Sequence, residues 1–254
     1  MKKGLSTLLM LLILISGYSQ NATYKYLAAY YHPEKNDSVK NDIKRNFYYN
    51  VHGAYEKIVK KETLNSAKRL EDISDGYPKN WVNNYVSAEI RTKQNGKTKS
   101  AKSSNEILTA EQKNILRTTD IGADIEIYVK YKTLNSATGD PSVRDMRFTL
   151  TVIPDIEAQY PTGFNGMQKY LWDNAINKFE EVSSKTIGQG KVRFTVNEEG
   201  ETIDAQIKTS SGDYKIDRLI IDAIDKMPKW KPAQNSNGTK VRQDFEFSMG
   251  VDGC

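Results

Sequence analysis

The strongest constraint on this chain is a change of periodicity near its C-terminus. "YKIDRLIIDAIDKM", residues 214–227, places Ile216, Leu219, Ile220, Ala223, Ile224 and Met227 three or four apart. That spacing is the one-sided apolar stripe of a helix lying on a core. The segments around it alternate with period two. "KVRFTVN" puts Val192, Phe194 and Val196 on one face, and "TIDAQIK" does the same with Ile203, Ala205 and Ile207. "KVRQDFEFSM" sends Val241, Phe245, Phe247 and Met249 inward, with Gln243 interrupting that face. Gly200 and Asn237-Gly238 mark turns, and Asp213 stands where a helix N-cap is expected. Between helix and last strand lies "KMPKWKPAQ". Pro228 ends the helix because the residue before a proline is driven out of the α region. Trp230 is expected to fold back over the core at the helix end, and Pro232 to keep the exit extended.

A second amphipathic stripe precedes these segments. In "NGMQKYLWDNAINKFEEV", Met167, Tyr170, Leu171, Ala175, Phe179 and Val182 fall near one face. Residues 155–254 therefore read helix, strand, strand, helix, strand. Each strand has an apolar and a charged face, which predicts a three-stranded antiparallel sheet with helices on one face.

Residues 76–154 read as a β-rich domain with one short helix. "WVNNYVSAEI" places Val82, Val86, Ala88 and Ile90 on one face, and Asn95-Gly96 predicts a hairpin into "KTKSAKS". Thr109 and Gln112 form a capping-box signature. "ADIEIYVKY" and "MRFTLTV" alternate, turning inward Ile125, Ile127, Val129 and Tyr131, then Met146, Phe148, Leu150 and Val152. Residues 20–75 are Tyr-rich, with partial helical spacing at Ile58, Leu64, Ala67 and Leu70, and are expected to be partly helical. The fold class is α+β.

The N-terminal "MKKGLSTLLMLLILISGYSQ" has a basic start, a short apolar core and small residues before Gln20. It reads as a signal peptide over residues 1–19 and implies export to the periplasm or cell envelope. The apolar core is shorter than the roughly 20 residues of a membrane span. Cys254 is the single cysteine, so no internal disulfide forms. Lysine and arginine total 37 against 32 acidic residues, with no basic stripe, which argues against nucleic-acid binding.

The run "GQGKVRFTVNEEGETIDAQIKTS", then "DRLIIDAIDKMPKWKPAQNSNGTKVRQDFEFSMG", with Tyr160-Pro161 upstream, resembles the TonB C-terminal domain family. The "MPKWKP" wording resembles Bacteroidetes-type members. The resemblance implies an exported protein-binding module whose partners are outer-membrane transporters or other envelope proteins. It also implies that a partner adds an extended segment to the last strand, at Lys240, Val241, Arg242, Gln243, Asp244, Phe245 and Glu246. The alternative is an energy transducer with an uncleaved anchor. Against it, the apolar leader is short and lacks histidine. The chain's seven prolines form no run that would serve as an extended spacer.

Catalytic chemistry finds little support. His32 and His52 lie in the Tyr-rich start, away from any compact unit. No residues show metal-ligand spacing or a phosphate-binding loop. Acidic pairs such as Glu198-Glu199 fall in turns. A carboxylate-dependent hydrolase is the weakest reading, and no cofactor, metal or small-molecule substrate is expected.

Overall fold

The computed structural model describes residues 47–78, 82, 84–94, 96–134, 138–179 and 187–251. The leader, His32, Asn95 of the expected hairpin turn, Val182 and Cys254 lie outside these residues.

The architecture is α+β, built on two main sheets. The first has the order β2-β6-β5-β3-β4. Its strands are β2 (Ile58–Lys60), β3 (Asn84–Gln94), β4 (Lys97–Ser103), β5 (Asp124–Leu134) and β6 (Pro141–Ile153). Ala88, Ile90, Ile125, Ile127, Val129 and Val152 are fully buried on one face. Helices α1 (Lys61–Ser66) and α2 (Ala110–Thr118) cover that face, contributing Leu64, Ile115 and Leu116.

Both ends of α2 are closed by named side chains. Thr109 and Gln112 form the expected reciprocal capping box. The fully buried Gln112 amide also donates to the carbonyls of Ala88 (3.1 Å) and Ala101 (3.4 Å), tying the helix to the β3–β4 hairpin. At the other end the Lys61 ammonium donates to the carbonyls of Leu116, Arg117 and Thr119. Those carbonyls lack helical partners, and a cation is favoured at a helix C-terminus. On the opposite face of the sheet, Arg91 clamps the buried Glu89 through two bonds of 2.7 and 2.9 Å. Those bonds hold the Glu89 carboxyl below its usual range.

The second sheet has the order β1-β11-β7-β8, every pair antiparallel. Its strands are β1 (Phe47–Gly53), β7 (Gly190–Val196), β8 (Thr202–Thr209) and β11 (Gln243–Val251). The three expected strands are joined by a fourth, β1, from the Tyr-rich segment. Helices α3 (Gly163–Asn174) and α4 (Tyr214–Asp225) pack on one face, over Val192, Phe194, Val196, Phe245, Phe247 and Met249. Asp213 caps α4 by accepting from the Lys215 amide at 2.8 Å.

"KMPKWKPAQ" does the structural work expected of it. Trp230 is buried against Tyr160, Phe194 and Phe245, at ring separations of 5.4, 6.2 and 5.0 Å. Its amide donates to the Gly200 carbonyl at 2.7 Å. Gly200 has φ +82, and a Cβ there would stand 2.0 Å from the Trp230 carbonyl oxygen. The turn and the tryptophan backbone thus require each other. Ala233–Gln234 (β9) pairs with Lys240–Val241 (β10), so the expected last strand is broken at Arg242 before β11.

Several expectations are corrected. The helix expected over residues 165–182 is interrupted: α3 ends at Asn174, and a 3-10 turn, Ile176–Lys178, follows a break at Ala175. In β3 a bulge between Tyr85 and Ser87 turns Val86 out to 41 % exposure. In β8, Asp204 adopts φ 55 and the register with β7 shifts. An inserted residue flips the strand beyond it. Thr202 therefore sits opposite the buried Val196 and donates to Ile224 of α4, while Ile203 moves to the other face opposite Thr195. Ile207 keeps its face but is 40 % exposed. Ile58, expected on a helix, is in strand β2.

Sheet membership also departs from a boundary at residue 76. β2 and α1 belong to the first unit, whereas β1 belongs to the second. The chain thus begins its described course in the second sheet, crosses to the first at 54–57, and returns at Pro154. Asp155 links the two units where it returns. Its carboxylate accepts from the Glu62 amide in α1 (2.7 Å) and from the Ser236 amide in the turn after β9 (2.6 Å).

Candidate functional site

The residues expected to meet a partner are 240–246, and the structure distributes them among different environments. Lys240 and Arg242 are exposed; Arg242 reaches Glu198 at 3.6 Å. Val241 packs against the core and pairs with Ala233 in the small β9–β10 ladder. Gln243 is buried, accepting from the Ala158 amide at 2.8 Å and donating to Glu157 at 3.0 Å. Its polar side chain breaks the apolar face of the strand because it anchors the segment before α3. Phe245 belongs to the Trp230 cluster. Glu246 is buried and paired with Lys191 at 3.0 Å.

Asp244, like Gln243, is held by two side-chain hydrogen bonds. One carboxylate oxygen accepts from the Tyr55 hydroxyl at 2.6 Å and the other from the Thr195 hydroxyl at 2.7 Å. Burial, reinforced by the bond to Asp244, pushes the Tyr55 phenol well above its ordinary value. Arg193 lies over the Tyr55 ring at 5.5 Å and donates to the Ala54 carbonyl at 3.2 Å. These contacts fix the exit of β1 onto the outer face of the sheet.

The expected open edge of the last strand is not open. β1 lies along β11 from Phe47↔Val251 to Gly53↔Phe245, and the Ala54 amide donates to the Asp244 carbonyl at 3.1 Å. Backbone groups of an antiparallel strand face its two neighbours alternately. Asp244, Glu246, Ser248 and Gly250 therefore turn their backbones to β1, and Phe245, Phe247 and Met249 turn theirs to β7. Tyr49 and Val51 of β1 enter the core, Phe47 meets Phe179 edge-on at 5.8 Å, and the Tyr49 hydroxyl donates to the Gln168 carbonyl of α3 at 3.1 Å. The site is therefore a groove between β11 and α3, filled by the chain's own strand.

Partial helical spacing in the Tyr-rich segment obscures β1. The signal was present in "FYYNVHG", an aromatic and β-branched run with alternate residues apolar. His52, expected outside any compact unit, lies in this strand and is exposed. The remaining edge of the sheet is β8, and its bulge at Asp204 makes it a poor template for another strand. In the first sheet the β4 edge carries Lys97, Lys99 and Lys102, the charges that keep an edge from pairing. Among the described residues no helix is long and apolar enough to cross a membrane.

Residues 180–249 match the family model of the Gram-negative bacterial TonB protein C-terminal domain. The match spans the second sheet's β7, β8, α4 and the whole of residues 240–246. No curated protein and no solved structure matches the chain.

Proposed function

We propose that this chain, whose residues 180–249 form a TonB C-terminal domain, binds extended segments of other envelope proteins on the β11 side of its second sheet. The TonB C-terminal domain is a domain of TonB-like envelope proteins and is not an enzyme family. The partners are outer-membrane transporters or other proteins of the periplasm and outer membrane. Main-chain hydrogen bonds to β11 supply affinity, and side chains entering the groove beside α3 supply selectivity.

The single observation that supports this reading is the pairing of β11 with a strand from the far end of the described chain. Seven residues of β1 lie in antiparallel register on it. The edge therefore has the geometry to take an added strand, with alternate side chains reaching a core.

Site-specific photocrosslinking in the native envelope tests the proposal. A benzophenone side chain in place of Ser248, which borders β1, is expected to give adducts with envelope proteins. The same group at Asn114, exposed on α2, is expected to give none. Absence of intermolecular adducts from position 248, or equal adducts from both positions, would overturn it.

A further inference from the structure

The groove between β11 and α3 carries features of an exchangeable site. Six buried side-chain polar atoms lack a hydrogen-bond partner among the described residues, and four belong to residues around β1. They are Asn50 Oδ1 on β1 itself, Arg193 Nε beside its exit, and both Gln168 carboxamide atoms on the helix that β1 touches. Gln168, whose backbone carbonyl accepts from the Tyr49 hydroxyl, is only 2 % exposed. A buried polar group left unpaired forfeits its hydration for nothing in return. β1 therefore pairs in full backbone register while polar side chains around it go unpartnered.

Among the described residues β1 is an edge strand, paired in the sheet only with β11. A short connection over 54–57 ties its C-terminal end to β2. A strand held in this way opens without unfolding the sheet behind it.

We infer that β1 is a built-in stand-in for the partner strand, and that a partner binds by displacing it from the groove. This rests on the strand-addition reading above. The partner it fits is an extended segment of about seven residues. It carries aromatic or β-branched side chains at the positions of Phe47, Tyr49 and Val51. It also carries a hydrogen-bonding side chain able to reach the Gln168 amide. The tether over 54–57 keeps β1 at high effective concentration, so only a segment that satisfies the groove better wins. The apparent affinity is reduced by the fraction of molecules in which the groove is open. Displacement also removes one of the two chain crossings between the units, leaving the one at Pro154.

Two measurements on the full chain test this. In native-state hydrogen exchange, the amides of Glu246 and Ser248, which face β1, are expected to exchange at least about ten times faster than those of Phe245 and Phe247, which face β7. Equal protection would mean that β1 opens only with the whole sheet, and would overturn the inference. The second uses a fluorescent peptide copy of Phe47–Gly53 as the probe, read by anisotropy. Val51→Ala, which loosens β1, is expected to tighten peptide binding by up to about five-fold. Asn50 and Ser248 are register partners. Asn50→Cys with Ser248→Cys, in a Cys254→Ser background, is expected to abolish binding when oxidised and restore it when reduced. Undiminished binding by the oxidised form would overturn displacement. Fast exchange with no peptide binding in any variant would instead overturn strand addition, while leaving β1 an opening strand.

Discussion

In the first unit the hairpin β3–β4 is followed by α2, and the next strand, β5, lies beside β3 rather than β4. In the second unit the hairpin β7–β8 is followed by α4, and β11 lies beside β7 rather than β8. Each helix packs over its hairpin, and each third strand is antiparallel to the first. The units part at the fourth place. β5 is flanked by β6, which follows it directly in the chain and pairs over eleven positions from Asp124↔Thr151 to Leu134↔Pro141. β11 is flanked by β1, shorter and drawn from the opposite end of the described chain.

The lesson is that one sheet plan needs a strand beside its third member, and the two units meet that need with different permanence. β6 is covered on its other side by the parallel β2, and Leu150, Thr151, Val152 and Ile153 are buried. Among the described residues β1 has nothing beyond it in the sheet, and it gives two buried side chains to the core. The same position is therefore a permanent part of one unit and a replaceable part of the other.

The largest expected effect falls on the second unit's turn. Gly200→Val places a side chain at positive φ and against the Trp230 carbonyl. It should destabilise the second unit by about 3 kcal/mol or more. Urea unfolding followed by tryptophan fluorescence and near-ultraviolet dichroism would show an earlier transition. An unchanged midpoint would show that the turn can relax away from Trp230.

The fourth strands give the sharpest contrast. Leu150→Ala on β6 is expected to cost about 2–4 kcal/mol in global unfolding, the usual range for emptying a closed core site. Val51→Ala on β1 is expected to cost about 1 kcal/mol or less globally, because much of the loss is felt only in local opening. Similar global losses from both would remove the distinction between the two strands.

Helix caps sharpen it further. Gln112→Ala removes half of a capping box and the amide bonds to Ala88 and Ala101. It should cost about 2 kcal/mol. Asp213→Ala, which removes the cap bond to Lys215, should cost about 1 kcal/mol. A reversed order would show that α4 depends more on its cap than its apolar stripe suggests.

The smallest effect concerns pH. Burial pushes the Tyr160 phenol up to about 12. The neutral form is the one the fold prefers, so its contribution is complete below the unfolded value of about 10 and is lost as pH rises toward 12. Tyr160→Phe should lose less stability than the unchanged chain between pH 9 and 11, by up to about 1 kcal/mol. Parallel losses would mean that Tyr160 ionises alike in both states.

Much of this was legible from local pattern. The stripe of α4, the alternation of β5, β7 and β11, and the Thr109–Gln112 cap all follow from spacings within one element. Trp230 as the cap of the core followed from two prolines and the periodicity beside them. The candidate residues fared less well. Gln243 and Phe245 are committed to the interior, Glu246 to an ion pair with Lys191, and Asp244 to Tyr55 and Thr195. A strand's alternation tells which side chains face a core, and says nothing of which strand lies alongside.

The sequence by itself determined α2, α4 and the apolar faces of β5, β7 and β11, because those depend on side-chain order along a few turns or pleats. The bulges at Val86 and Asp204, the clasp at Asp155 and the closure of the β11 edge by Phe47–Gly53 were decided only in the tertiary structure. Each is a contact between segments far apart in the chain. Its geometry comes from the packing of the assembled sheets and is encoded by no local period.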